Sequence, residues 1–252
     1  MMPDLVIFDV DKTLARSKQP IDDAMAEALT ELLTHTKVAI ISGDSLMVLQ
    51  NNVIGRLPHN ALFEHLMMLT TSGAALYIWK DSGWRLMYEE RIDESEIAKI
   101  GAVIRTACIK THLVDFDAPS FGDRIEYRGG QITLSALGQQ APIEKKEEWD
   151  PDGTKKRMLR DAIGEHLPEY DVKVGGSTSI DITKAGINKA YGVRKLSEFL
   201  NIPIGKMLYV GDALFPGGND EVVKESGIKT HAVKGPEDTT ELIEALLAGR
   251  DV

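Results

Sequence analysis

Four apolar residues in a row, Leu5-Val6-Ile7-Phe8, run directly into Asp9-Val10-Asp11. A strand that is apolar on both faces has to be covered on both faces, which is the situation of an inner strand in a parallel sheet. Asp22 and Asp23 then open a helix whose Met25, Leu29, Leu32 and Leu33 fall on one face, as helical periodicity requires of a buried stripe. Val38-Ala39-Ile40-Ile41 repeats the buried-strand pattern. Strand, helix, strand predicts a parallel pair joined by a crossover helix.

The middle of the chain follows another pattern. Ala75–Lys80 and Trp84–Glu89 flank Asp81-Ser82-Gly83, Arg124–Arg128 and Gln131–Ser135 flank Gly129-Gly130, and Asp171–Val174 and Ser177–Ile182 flank Gly175-Gly176. Each reads as a hairpin. Glu94 to Ala107 reads as helix, and the charge-rich stretch Glu144–Asp161 as a partly helical, solvated face. After Gly186 the first pattern returns: helix over Asn188–Leu200, buried strand over Met207–Val210, strand over Ile228–Val233, helix over Thr239–Leu247. The expected architecture is therefore α/β. A Rossmann-like parallel-sheet core is built from 1–83 and 185–252, and an α+β domain, 84–184, is inserted into it, with junctions placed to within several residues.

Of the 252 residues 43% are hydrophobic, ample for such a core. The formal charge of −10 argues against nucleic acid or anionic membrane as a partner. No apolar run is long enough to span a bilayer and no signal peptide is evident, so a cytoplasmic location is expected. The single cysteine, Cys108, lies in an apolar helical stretch and reads as core packing.

Chemistry concentrates where the strands end. In open α/β sheets, ligands bind beyond the carboxyl ends of strands. Asp9 and Asp11, two apart on near-extended chain, point the same way with backbones roughly 6–7 Å apart. One carboxylate can attack phosphorus while the other handles the proton, and Mg2+, which prefers hard oxygen ligands, offsets their repulsion. Ser42 and Gly43 close the second strand, where a hydroxyl and free backbone N–H groups suit a phosphate oxygen. Lys189 stands in the first turn of a helix, where a cation opposes the helix dipole; service to an anion explains it better. Asp212 follows the Met207–Val210 strand beside the Gly217-Gly218-Asn219-Asp220-Glu221 loop, an arrangement suited to a metal carboxylate.

These pieces, in this order, resemble the haloacid dehalogenase superfamily. The resemblance implies Asp9 as covalent nucleophile and Asp11 as general acid/base. It makes Ser42 the motif hydroxyl, Lys189 the motif lysine and Asp212 the metal carboxylate, and it makes the insertion a type II cap that sets substrate specificity. Phe8-Asp9-Val10-Asp11, Ile125-Glu126-Tyr127-Arg128-Gly129-Gly130, Ser179-Ile180-Asp181, Gly211-Asp212 through Gly217-Gly218-Asn219-Asp220 and Pro236-Glu237-Asp238-Thr239 together resemble the eukaryotic-type phosphomannomutases over nearly the whole chain. Mg2+ is then expected on Asp9, Asp212 and the Asp11 backbone carbonyl. Gly43, Arg128, Ser179, Asp181 and Asn219 are expected to bind substrate. The expected partner is a small phosphorylated metabolite such as a sugar phosphate, and a homodimer fits the dimer contacts that such caps make in the mutases.

The chain also departs from the mutases. Lys12 stands where they usually have Gly, Ser42-Gly43 replaces Gly-Gly-Ser, and Phe121 and Gln139 occupy two positions where their caps carry arginine. Lys18 stands near another arginine position, outside the cap. Each lost charge-assisted contact to a distal phosphate costs about 1.5–3 kcal/mol. Weak grip there predicts hydrolysis of a sugar phosphate through an aspartyl-phosphate, with phosphomannomutase activity as the alternative. A non-catalytic phosphosugar sensor is a third reading, which the intact Asp9/Asp11 pair disfavours. A phosphorelay receiver needs neither the second acid nor the insertion.

Overall fold

The computed structural model describes residues 2–250. In chain order, β1 (Leu5–Phe8), α1 (Asp23–His35), β2 (Lys37–Ile41), α2 (Leu46–Asn52), β3 (Leu66–Thr70), β4 (Ala75–Lys80) and β5 (Gly83–Glu89) come first. They are followed by α3 (Glu94–Thr111), β6 (Ile125–Tyr127), β7 (Gln131–Ser135), α4 (Ile143–Trp149), α5 (Thr154–Gly164), β8 (Tyr170–Val174) and β9 (Ser179–Lys184). The chain closes with α6 (Lys189–Leu200), β10 (Met207–Gly211), β11 (Lys229–Ala232) and α7 (Pro236–Leu247). Among the described residues two compact units result, 2–89 with 188–250, and 90–187. No helix among the described residues is long and apolar enough to cross a membrane.

The first unit is built on a seven-stranded sheet in the order β11-β10-β1-β2-β3-β4-β5. The five strands from β11 to β3 are parallel, and β4 and β5 continue the sheet antiparallel. Alternation explains why β1 is apolar throughout. Val6 and Phe8 face a core shared with Met25, Leu29 and Leu32 of α1 and Leu242, Ile243 and Leu246 of α7. Leu5 and Ile7 face the opposite core, with Val193 and Leu196 of α6. Both layers exclude water, so neither register of β1 can tolerate a polar residue.

The chain runs outward from β1 to β2 and β3 on one side and returns to β10 and β11 on the other. That reversal between β1 and β10 is the topological switch point, where a crevice opens beyond the strand ends. Asp9 follows β1 and Asp212 follows β10, so the crevice receives a carboxylate from each.

The second unit is a four-stranded antiparallel sheet, β6-β7-β9-β8. Ile132, Leu134, Ile180 and Ile182 form its apolar face against Ile100, Ile104 and Cys108 of α3 and Leu159 and Ile163 of α5. The opposite face carries Gln131, Thr133 and Ser135 paired across the ladder with Thr183, Asp181 and Ser179. Cys108 is fully buried, and burial pushes its thiol up to about 11, as inert packing requires.

Two features differ from expectation. The sequence reading has no counterpart of β3, although all five of its residues are buried. Leu66-Met67-Met68-Leu69 lacks the β-branched enrichment that marks a strand. The β4–β5 hairpin forms as expected, but it belongs to the first sheet because Leu69 pairs with Leu76 and Thr70 with Ala75. Expected junctions near 83 and 184 accordingly fall at Glu89/Glu90 and Ile187/Asn188. A hairpin's sequence specifies its own pairing, not the sheet it extends.

Helix α6 lies unusually close to the β3–β4 connection. A Cβ built on Gly192 would sit 3.0 Å from Gly73 Cα and 2.9 Å from Ile41 Cδ1, so only glycine permits the approach. Gly192→Val is expected to lift the helix and destabilise the protein by about 1–3 kcal/mol, read from the denaturant midpoint. An unchanged midpoint would contradict this contact.

Candidate active site

Asn188 caps α6 by accepting the Tyr191 N–H at 3.0 Å, which sets Lys189 as the first helical residue. With the helix drawn down onto Gly73, the Lys189 side chain descends to the sheet. Its Nζ lies 2.5 Å from Asp9 Oδ1 and 2.6 Å from Asp220 Oδ1. All three residues are buried, with Lys189 at 4% exposure, Asp9 at 5% and Asp220 at 0%. The cation therefore serves acids of the sheet rather than solvent, which offsets its unfavourable place in the helix dipole.

Asp220 reaches this point because its loop folds back on itself. The Asp220 N–H donates to the Ala213 carbonyl at 3.2 Å, and the Ala213 N–H donates to Asp220 Oδ2 at 3.1 Å. The Tyr209 hydroxyl donates to Asp220 Oδ1 at 2.6 Å. Gly211 is obligatory here, since a Cβ would lie 2.5 Å from Asp220 Oδ2.

Carboxylate oxygens of Asp9, Asp212 and Asp220 lie within 4.8 Å of one another. An all-oxygen, anionic donor set fits a hard divalent cation. Burial lifts Asp9 to about 6 against the downward pull of Lys189. Burial and the neighbouring Asp220 charge also raise Asp212. Burial alone would lower Lys189, but Asp9 and Asp220 together hold it at about 12, charged throughout the neutral range. Tyr209 is pushed well above its ordinary value by burial and by the same two carboxylates, so its hydroxyl stays a donor.

A second group adjoins the first in sequence. Asp11 lies outside the carboxylate cluster, and Lys18 engages both its oxygens: the backbone N–H donates to Oδ1 at 2.8 Å and Nζ approaches Oδ2 at 2.9 Å. The same ammonium stands 3.4 Å from Asp44 Oδ1. Ser42 Oγ donates to Asp44 Oδ2 at 3.2 Å and accepts the Asp44 N–H at 3.1 Å. Asp11, Lys18, Asp44 and Ser42 thus form one continuous polar chain, with Gly43 exposed beside it. Lys12 holds a left-handed φ of 58°, a conformation that glycine adopts at lower cost.

Of the sequence-derived candidates, the structure gathers Asp9, Lys189 and Asp212 into one cluster, and Asp11 and Ser42 into the Lys18–Asp44 chain. Asn219 is exposed; its neighbour Asp220, which the sequence reading left without a role, takes the buried position. Arg128, Ser179 and Asp181 belong to the second unit. There Arg128 donates to Glu126 at 2.7 Å, Ser179 Oγ lies 3.3 Å from Ser135 Oγ, and Asp181 accepts from Thr133 Oγ1 at 2.8 Å. Tyr209, Lys18 and Asp44 were also unassigned. No local signal singled out Asp220, whose inward turn depends on its hydrogen bonds with Ala213.

The fold is shared with solved structures of low sequence identity. A haloacid dehalogenase-like hydrolase from Bacteroides thetaiotaomicron superposes with a TM-score of 0.66 at 16% identity, covering 97% of this chain and 99% of that one. Plasmodium falciparum IMP-nucleotidase superposes at 0.69 with 18% identity, covering 98% of this chain and 69% of that one. Together with the family match that follows, this fold makes the chain a phosphoryl-transfer enzyme of the haloacid dehalogenase type. Within that class the profile of the eukaryotic phosphomannomutase family matches residues 25–249. A probable phosphomannomutase of Caenorhabditis elegans is 28% identical over 98% of this chain and 96% of its own length. The phosphomannomutase of Saccharomyces cerevisiae is 24% identical over 96% and 93%. The chain belongs to the eukaryotic phosphomannomutase family.

A proton and a divalent cation would compete at Asp9. Its folded-state value lies above the ordinary 3.8, at about 6. Ionising it therefore costs the metal-free protein stability as pH rises through that window, and the cost persists above it. A bound divalent cation offsets this cost only where Asp9 is ionised. The rise in thermal midpoint on adding Mg2+ is expected to be roughly 2–4 °C larger near pH 7.5 than near pH 5. Equal shifts at the two pH values would rule out competition at this carboxylate.

Proposed function

We propose that the protein transfers a phosphoryl group on a hexose phosphate by a mutase reaction, with Asp9 as the covalent nucleophile. The observation that carries this reading is the span of the family match. It includes the second unit with Arg128, Ser179 and Asp181 as well as the chemistry-bearing core. The departures noted in the sequence had favoured hydrolysis; membership of the mutase family now weighs more than those single positions.

In this mechanism Asp9 attacks phosphorus in line, the bond from phosphorus to the sugar oxygen breaks, and an aspartyl-phosphate forms on Asp9. Asp11 delivers a proton to the departing oxygen and, in the second half, takes one from the incoming hydroxyl. Lys189, fixed as a cation, neutralises phosphoryl oxygens and keeps Asp9 ionised. Ser42 gives a further hydrogen bond when its hydroxyl rotates from Asp44. A Mg2+ ion held by the Asp9 and Asp212 carboxylates and the Asp11 backbone carbonyl would supply Lewis-acid neutralisation of the phosphoryl charge. Arg128, Ser179 and Asp181 are assigned to the sugar hydroxyls and the second phosphate.

Hydrolysis remains the second reading for one specific reason. Gln139, at a position where the mutases carry arginine, leaves its side-chain nitrogen buried without a hydrogen-bond partner, and it brings no charge to a distal phosphate. Hexose 1-phosphate supplied with a hexose bisphosphate primer separates the two. Hexose 6-phosphate as the main product supports the mutase; stoichiometric free phosphate rejects it in favour of the hydrolase.

Asp9→Asn is expected to leave less than about a thousandth of wild-type turnover and no hydroxylamine-labile phosphoprotein. Near-normal turnover in that variant would overturn the nucleophile assignment. Asp11→Asn should slow both half-reactions by roughly 10²–10⁴-fold while Mg2+ binding, measured calorimetrically, is largely retained.

A further inference from the structure

Tyr209 is fully buried on β10, among the apolar residues that face α6. A phenylalanine would fill the same space. The hydroxyl is the one polar atom of that side chain, and it is spent on Asp220 Oδ1 at 2.6 Å. The same oxygen accepts from Lys189 at 2.6 Å, and Oδ2 accepts the Ala213 N–H at 3.1 Å. Gly211 crowds Oδ2 further, since even a single methyl carbon added to its Cα would stand 2.5 Å away. A carboxylate offers about four acceptor sites. Three of those on Asp220 are taken, and the backbone closes on the oxygen that retains the fourth.

We propose that Tyr209 is a positioning residue that holds Asp220 as the counter-ion of Lys189 and out of the metal's coordination, so that the cation takes two carboxylates, Asp9 and Asp212. Proximity alone would count three. The difference has a chemical consequence. Mg2+ is typically held by one or two carboxylates with water and substrate oxygens, whereas Ca2+ suits a site richer in protein oxygen ligands. One phenol hydroxyl therefore sets the carboxylate count, and with it the preference for the smaller ion. The inference rests on the metal reading of the site and is independent of the choice between mutase and hydrolase.

The test is calorimetric titration of the metal-free protein with Mg2+ and, separately, with Ca2+, for wild type and Tyr209→Phe. With one acceptor site on Asp220 released, affinity for Ca2+ relative to Mg2+ is expected to rise roughly ten-fold, the effect of one hydrogen bond to a charged group. A purely structural hydroxyl would lower the thermal midpoint and leave that ratio unchanged, which would overturn the proposal. A crystal structure of the wild-type Mg2+ complex provides a second measurement that needs no variant. Asp220 still bonded to Tyr209 and absent from the inner sphere supports the proposal; an inner-sphere Asp220 oxygen overturns it and leaves the metal reading intact. Failure of wild type to bind either ion overturns both.

Discussion

A buried ammonium between two buried carboxylates governs this structure. Lys189, Asp9 and Asp220 lie almost wholly out of water, where an unpaired charge is prohibitively costly and a pair holds only with good geometry. With Asp212 counted, three carboxylates face one ammonium and leave two negative charges in excess. The remedy for such an excess is a divalent cation, a phosphoryl group accompanied by one, or a proton. Burial, with the Asp220 charge adding to it, already raises Asp9 to about 6. An excess of negative charge of this kind suits a hard divalent cation.

The surrounding structure serves to make this cluster unavoidable. β1 and β10 are neighbours in parallel register, Phe8 opposite Val210, so the residues that follow them emerge side by side. Gly192 and Gly73 bring α6 within backbone contact of the sheet, and the Asn188 cap fixes where that helix begins. The loop after β10 closes on itself through Ala213 and Asp220. Each device acts on backbone position. The side chains then have few alternatives, as preorganised electrostatics requires.

Much of this was legible in the sequence, and the residues show why. Asp9, Asp11 and Asp212 could be placed because each follows a run that only a buried strand explains, and strand ends are where such sheets bind ligands. Lys189 stood out because it is a poor choice for a helix start unless an anion needs it. Asp220 was seen but given no role, since the inward turn of its loop depends on a pair of hydrogen bonds with Ala213, one from its backbone N–H and one to its carboxylate, that composition does not reveal. Tyr209 was read only as core, because a hydrophobic strand hides the one polar atom in it. Lys18 and Asp44 meet only after both have been positioned by separate loops. The run before β4 lacked the branched residues that would have marked β3, and the sheet to which the β4–β5 hairpin attaches is a long-range decision.

The placement of β1 also shapes how the chain comes together during synthesis. β1 leaves the ribosome well before one of its two partners, β10, which lies about two hundred residues later. Until then one side of the most apolar strand has no ladder, and such non-local closure is slow. The intervening residues 90–187 carry an apolar core of their own and can condense while β1 waits. A truncated translation product would therefore contain an ordered insert and an open, aggregation-prone sheet edge. Lys189 and Asp9 meet only once the segment that carries α6 has been made, so a shorter product lacks the buried ion pair.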